Sequence, residues 1–196
     1  MINFFKRQLN DNQISKPFLY VAFCLYAFFL FWIIGLKFNA EWLPEIGEYM
    51  RRLSFSERVG AGIIPFRNLY VYIVNEATLF HIDYFLNYII YIPLGLLLPL
   101  MVKKHPYWTA IVATVVSSFI FELVQYFTGF GGCDGTDFAM NLLGGFTGAF
   151  LVYLFKPHLS NKAINYINLV AIILLLPVCI FGFVNTLLHL NLYKIY

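Results

Sequence analysis

Five stretches of this chain, about residues 17–36, 84–102, 107–127, 137–155 and 169–188, are apolar over nearly the length needed to cross a bilayer. In hydrocarbon the backbone must satisfy its own hydrogen bonds, and runs of that length do so as helices. Charged residues make up 12% of the 196, against about 25% in an ordinary soluble domain, and 61% are hydrophobic. These features predict an all-α fold: a polytopic helical membrane bundle of about five transmembrane helices, forming a single integral membrane domain over 1–196. Too little chain is left over for a separate soluble catalytic domain, so any chemistry must sit on the helices or their loops. The first run follows Lys6, Arg7 and Lys16, as a signal peptide's would, but it is long and no small-residue cleavage site follows, so it reads as a retained anchor. Cys24, Cys133 and Cys179 have neither paired nor metal-type spacing and read as packing residues.

Charge sets the expected orientation. Lys6, Arg7 and Lys16 precede the first span, Lys103 and Lys104 fill the second connection, and Lys156 and Lys162 lie in the fourth, whereas the third, 128–136, has no basic residue. Short basic loops stay inside, so the N-terminus is expected in the cytoplasm and the C-terminus outside. The long stretch from Lys37 to His81 interleaves Trp42, Tyr49, Phe55, Phe66, Tyr70 and Tyr72 with Arg51, Arg52, Arg58 and Arg67. That mixture suits the headgroup layer and predicts interfacial helices in the first extracytoplasmic loop. Arg51, Arg52 and Arg58 read mainly as headgroup anchors, and the outward location of the arginines argues against a nucleic-acid partner. The lipid bilayer is the partner the sequence does imply.

Against this apolar background a few oxygen-bearing side chains gather at one depth. The second span places Asn87, Tyr91 and Gly95 on one face, with Pro93 and Pro99 inside it, predicting a bend and a freed Ile89 carbonyl. Glu122 and Gln125 share a face near the outer end of the third span, and Gly129, Gly131, Gly132 and Gly135 follow. The fourth span opens with Asp134 as a candidate N-cap and Asp137 in the first turn. Asn141 comes one turn later, then Gly144 and Gly148 as a small-xxx-small surface. With His81, Asp83 and Arg67 arriving from the long loop, these residues predict an outward-opening polar pocket.

The plain alternatives are capping for the two aspartates and interhelical hydrogen bonds, averaging about 0.6 kcal/mol, for the two asparagines. Glu122 is harder to explain structurally, since a buried carboxylate needs a cation, a donor network or a proton. Carboxylates and an amide can hold a divalent cation, a polar headgroup, an amine or a proton. No phosphate-binding loop, metalloprotease helix or nucleophile elbow is present, and no histidine is spaced to activate Ser117 or Ser118. No catalytic residue and no reaction are assigned.

Four strings carry a family resemblance: IIPFRN at Ile63–Asn68, NYIIYIPLGLLLPL at Asn87–Leu100, FELVQYFTG at Phe121–Gly129 and GCDGTDFAMNLLGG at Gly132–Gly145. In order and spacing they resemble the VanZ-like membrane proteins of bacteria, over about residues 63–155. The resemblance implies a multi-pass protein of the bacterial cytoplasmic membrane tied to the cell envelope. The family takes its name from low-level resistance to the glycopeptide antibiotic teicoplanin. Carried over by position, its polar residues are Asn87, Glu122, Gln125, Asp134, Asp137 and Asn141, and its structural ones Pro65, Pro93, Gly95, Gly144 and Gly145. Many members have an arginine shortly before the acidic pair; here Phe130, Gly131 and Gly132 stand there, leaving Arg67 or a bound cation to compensate the carboxylates.

The expectation is therefore a pocket, without a cofactor, that binds a polar envelope component or the lipid-inserting part of a glycopeptide. One alternative is a metal-dependent enzyme acting on a lipid-linked phosphate or sugar. There Asp134, Asp137 and Glu122 would serve as ligands or bases for a divalent cation, and Asn141 as an orienting group. Another is a small proton-coupled transporter built on Glu122, with a homodimer supplying the missing symmetry.

Overall fold

Ser15 starts the first transmembrane helix, α1 (Lys16–Leu30). Its backbone is extended, its hydroxyl accepts the Phe18 N–H at 3.4 Å, and Pro17 sits in the first turn, where a missing N–H breaks no bond. α1 runs into a π-helical turn, Phe31–Gly35. The computed structural model describes residues 8–9, 13–35, 82–128 and 135–192. Beyond α1 it contains α2 (Ile82–Met101), α3 (Pro106–Thr128), α4 (Gly135–Phe155), a 3-10 turn (Lys156–His158) and α5 (Asn161–Leu192). Among the described residues there is no strand. The interfacial helices expected between Lys37 and His81 lie outside the described residues, as do Pro65, Arg67, Cys133 and Asp134.

All five helices are long and apolar enough to span a membrane. The first four spans, Lys16–Ile34, Tyr84–Met101, Pro106–Gln125 and Gly135–His158, begin and end within three residues of the apolar runs. The fifth starts eight residues earlier than the run at Leu169, because Asn161–Asn168 is helical despite its amides and Lys162. The reason is a buried polar joint. Asn165 accepts the Ser15 N–H at 2.7 Å and donates to the Gln8 and Gln13 carbonyls at 3.0 Å each. It thereby fastens the start of α5 to the start of α1.

α2 and α4 share the most extensive contact, α3 packs on both, α1 lies against α2, and α5 lies on α1. Small residues explain the order. Lipid tails give helices no hydrophobic reason to associate, so close backbone approach and dispersion must hold the bundle together. A side chain on Gly148 would meet the Ile92 carbonyl and the Gly95 Cα, one on Gly95 would meet the Gly145 carbonyl and the Ala149 nitrogen, and one on Gly144 would meet the Tyr88 carbonyl. Gly145 instead faces Thr114 of α3. α4 is thus seated between α2 and α3, with backbone close against backbone at the glycines and the Tyr88 hydroxyl donating to Thr147 across the same seam at 3.2 Å. On the other side, Leu19, Ala22, Tyr26 and Leu30 of α1, with Trp32, Ile33 and Ile34, pack against Tyr91, Leu94 and Leu97 of α2 as a buried apolar core.

α2 continues unbroken through Pro93 and Pro99. The side chain that bonds its backbone in this region is Tyr26, whose hydroxyl donates to Ile90 at 2.9 Å, one residue beyond the carbonyl singled out from the proline spacing. The ring crowds the carbonyl four residues back, and the reach of Tyr26 from α1 selects the neighbouring one.

Candidate functional site

Along α3, Thr114, Ser118, Glu122 and Gln125 follow one another at spacings of four, four and three, which puts them on one helix face, and all are at most 5% exposed. Each finds different surroundings. The Thr114 hydroxyl donates back to Ala110 at 2.8 Å and lies against Gly145. Ser118 accepts the Asn141 amide N–H at 2.9 Å, joining α3 to α4. The Gln125 amide donates to the Ile34 carbonyl at 3.0 Å, across to the π turn that ends α1. Gln125 therefore ties α3 to the π turn that follows α1.

Glu122 is buried between these two points, one turn from Ser118. Tyr91 of α2 is fully enclosed, with its hydroxyl beside Ser117 and Ser118. No partner for that hydroxyl meets hydrogen-bond geometry among the described residues. The same holds for the Asn141 side-chain oxygen, although Asn141 is only 2% exposed. Three helices thus contribute to one buried cluster: Tyr91 from α2, Ser117, Ser118 and Glu122 from α3, and Asn141 from α4.

The remaining residues singled out from the sequence are placed as follows. Asn87 is half-buried, one turn before Tyr91 on the same face of α2. Asp137 is half-buried in the first turn of α4, one turn before Asn141, with one carboxylate oxygen wholly enclosed. Carboxylate charge there is favoured by the helix N-terminus. Gly95, Gly144 and Gly148 lie on the α2–α4 seam and Gly145 on the α3 side. Pro93 is half-buried within α2. Asp134 and Arg67 lie outside the described residues. Among the described residues, no three His, Cys, Asp or Glu side chains come together closely enough to hold a metal ion.

Two participants were not assigned from the sequence. Ser118, set aside for want of a nearby histidine, is the partner of Asn141, and Thr114 completes the line below it. The signal was the four, four, three spacing of polar residues in an otherwise apolar helix. Chemically, the cluster offers buried acceptors at Asn141 and Glu122 beside hydroxyls that can donate or accept. That combination suits a ligand carrying N–H or O–H groups.

A profile of the VanZ/LLP1 family matches residues 23–156. Protein VanZ of Enterococcus faecium is 30% identical to this chain over 152 residues, which is 78% of this chain and 84% of that protein. No solved structure matches it.

Proposed function

The chain belongs to the VanZ/LLP1 family, and on that basis we propose that it is a VanZ-like protein of the bacterial cytoplasmic membrane that lowers susceptibility to glycopeptides such as teicoplanin. Its polar cluster binds either a polar component of the envelope or the part of the drug that enters lipid, and so reduces the drug's access to its target. The observation carrying this reading is the Asn141 oxygen, buried beside Ser118 without a partner among the described residues, at a junction of three membrane helices. An orphaned acceptor is costly at such a place, and a ligand donor relieves the cost. Tyr91 and Glu122, buried in the same cluster, supply further hydrogen-bonding groups.

The cluster lies midway along α2 at Tyr91 and along α3 at Ser118, and at Glu122 and Asn141 it reaches toward the helix ends remote from Lys16, Lys103 and Lys156. With the lysine-rich end in the cytoplasm, Glu122 and Asn141 stand on the outer side of the cluster, the side on which a glycopeptide acts. The test is expression in a susceptible bacterium. Wild-type protein raises the inhibitory concentration of teicoplanin, while Glu122→Gln, Asp137→Asn and Asn141→Leu return it toward the vector control at equal membrane abundance. Equal susceptibility with and without the wild-type protein removes the reading.

A further inference from the structure

The other end of the bundle holds a cavity of about 720 Å³. It is built where α1, α3 and α5 begin and α2 and α4 end. Lys16 at the start of α1, Lys103 in the α2–α3 connection and Lys156 after α4 all line it. Its deeper wall is apolar, formed by Leu19, Pro99 and Leu100, and among the described residues no Asp or Glu lines it.

The charge bias that orients a membrane protein requires lysines at this end, but it does not require three of them, from three separate elements, around one recess. Their positions are fixed by backbone structure. Lys103 stands in a tight connection where the Val102 N–H bonds Leu98 at 3.0 Å and His105 takes a left-handed φ of 50°. Lys156 belongs to the 3-10 turn, whose carbonyl accepts the Leu159 N–H. Lys16 occupies the first helical turn, where the helix dipole opposes a cation, an arrangement that a bound anion offsets.

Depth narrows the ligand. Tyr20, Tyr107, Trp108, Tyr153 and Tyr166, from four helices, mark this same end, and Trp108 is 67% exposed. Aromatic side chains of this kind collect at the membrane–water interface, which puts the cavity at headgroup level. Its size is that of a small-molecule site. Ammonium groups at the rim over an apolar wall suit an amphiphile with a phosphate head, since basic pockets between membrane helices take anionic headgroups.

We propose that this recess binds the phosphate of an anionic amphiphile, held by Lys16, Lys103 and Lys156. The site shares no residue with the polar cluster and stands or falls apart from it. The phosphate can belong to a lipid of the surrounding leaflet or arrive from water, and the experiment separates the two.

Full-length purified protein is titrated in detergent with phosphatidylglycerol or phosphatidylcholine and the complexes are counted by native mass spectrometry. Phosphatidylglycerol is retained in preference. Each Lys→Gln change at 16, 103 or 156 weakens retention about fivefold, and the triple variant on the order of a hundredfold, following the attraction of a lysine near an anionic surface. The triple Lys→Arg variant keeps binding, and Lys104→Gln with Lys162→Gln, charges of the same end that do not line the cavity, leaves it unchanged. Excess inorganic phosphate that displaces the lipid assigns the site to a water-borne phosphate; failure to displace assigns it to the lipid. Equal retention of the two lipids by wild type, or undiminished retention by the triple Lys→Gln variant, overturns the proposal.

Discussion

Asn165 makes three hydrogen bonds to backbone groups around the start of α1 and is fully buried, so its removal leaves one N–H and two carbonyls without their partner. Asn165→Leu should lower stability by about 1–3 kcal/mol, and Asn165→Asp, which keeps only the acceptor, should lie between it and wild type in thermal unfolding in detergent. Asn141 should behave oppositely. It makes one interhelical bond of a kind averaging about 0.6 kcal/mol, and its oxygen has no partner among the described residues. Asn141→Leu should therefore shift stability by less than about 1 kcal/mol while abolishing protection against teicoplanin, which separates a binding residue from a structural one. The sequence marked Asn141 because amides are rare in an apolar span. It gave no sign of Asn165, whose partners lie some 150 positions away and whose neighbours Lys162 and Asn168 make the segment read as a loop.

At the level of helices, the glycines rank the seams by how far they can yield. A methyl on Gly148 meets the Ile92 carbonyl and the Gly95 Cα, groups that cannot rotate aside, and Gly148→Ala should cost about 1–3 kcal/mol with a matching loss of thermal stability. A methyl on Gly182 meets the Trp32 indole at 2.6–2.8 Å, a side chain held at the α1–α5 contact by a T-shaped pairing with Phe181. Gly182→Ala should be the milder change, because a ring can tilt where a carbonyl cannot. Four spans were legible to within three residues because Pro17, Lys103, Lys104 and the 156–160 segment bound them chemically. The order of helices in space was less so. A small-xxx-small spacing announces close packing without naming the partner, and only the structure assigns Gly144 and Gly148 to α2 and Gly145 to α3.

For the molecule as a whole, the basic loops stand at one end while Glu122, Asp137 and Asn141 lie toward the other, so on the proposed function sidedness decides which face meets the drug. In a background with Cys24 and Cys179 replaced by serine, native Cys133 should react with an impermeant thiol reagent from outside, and Ser160→Cys only from the cytoplasmic side. Neutralising Lys103, Lys104, Lys156 and Lys162 together should give a mixed or inverted pattern. The reverse labelling in the unmodified protein would place the cluster on the wrong face for the proposed function.

The α2–α4 seam also bears on how such a protein can move. Helices that slide past one another do so by exchanging side-chain rotamers, and at the glycines of this seam carbonyls rest against backbone atoms, leaving few rotamers to exchange. That pair, with α3 seated on it, acts as a stator. Any second conformation belongs to α1 and α5: α1 rides on the stator through Tyr26 and ends in the π turn that Gln125 latches from α3, and α5 is carried on α1 through Cys179 and Trp32.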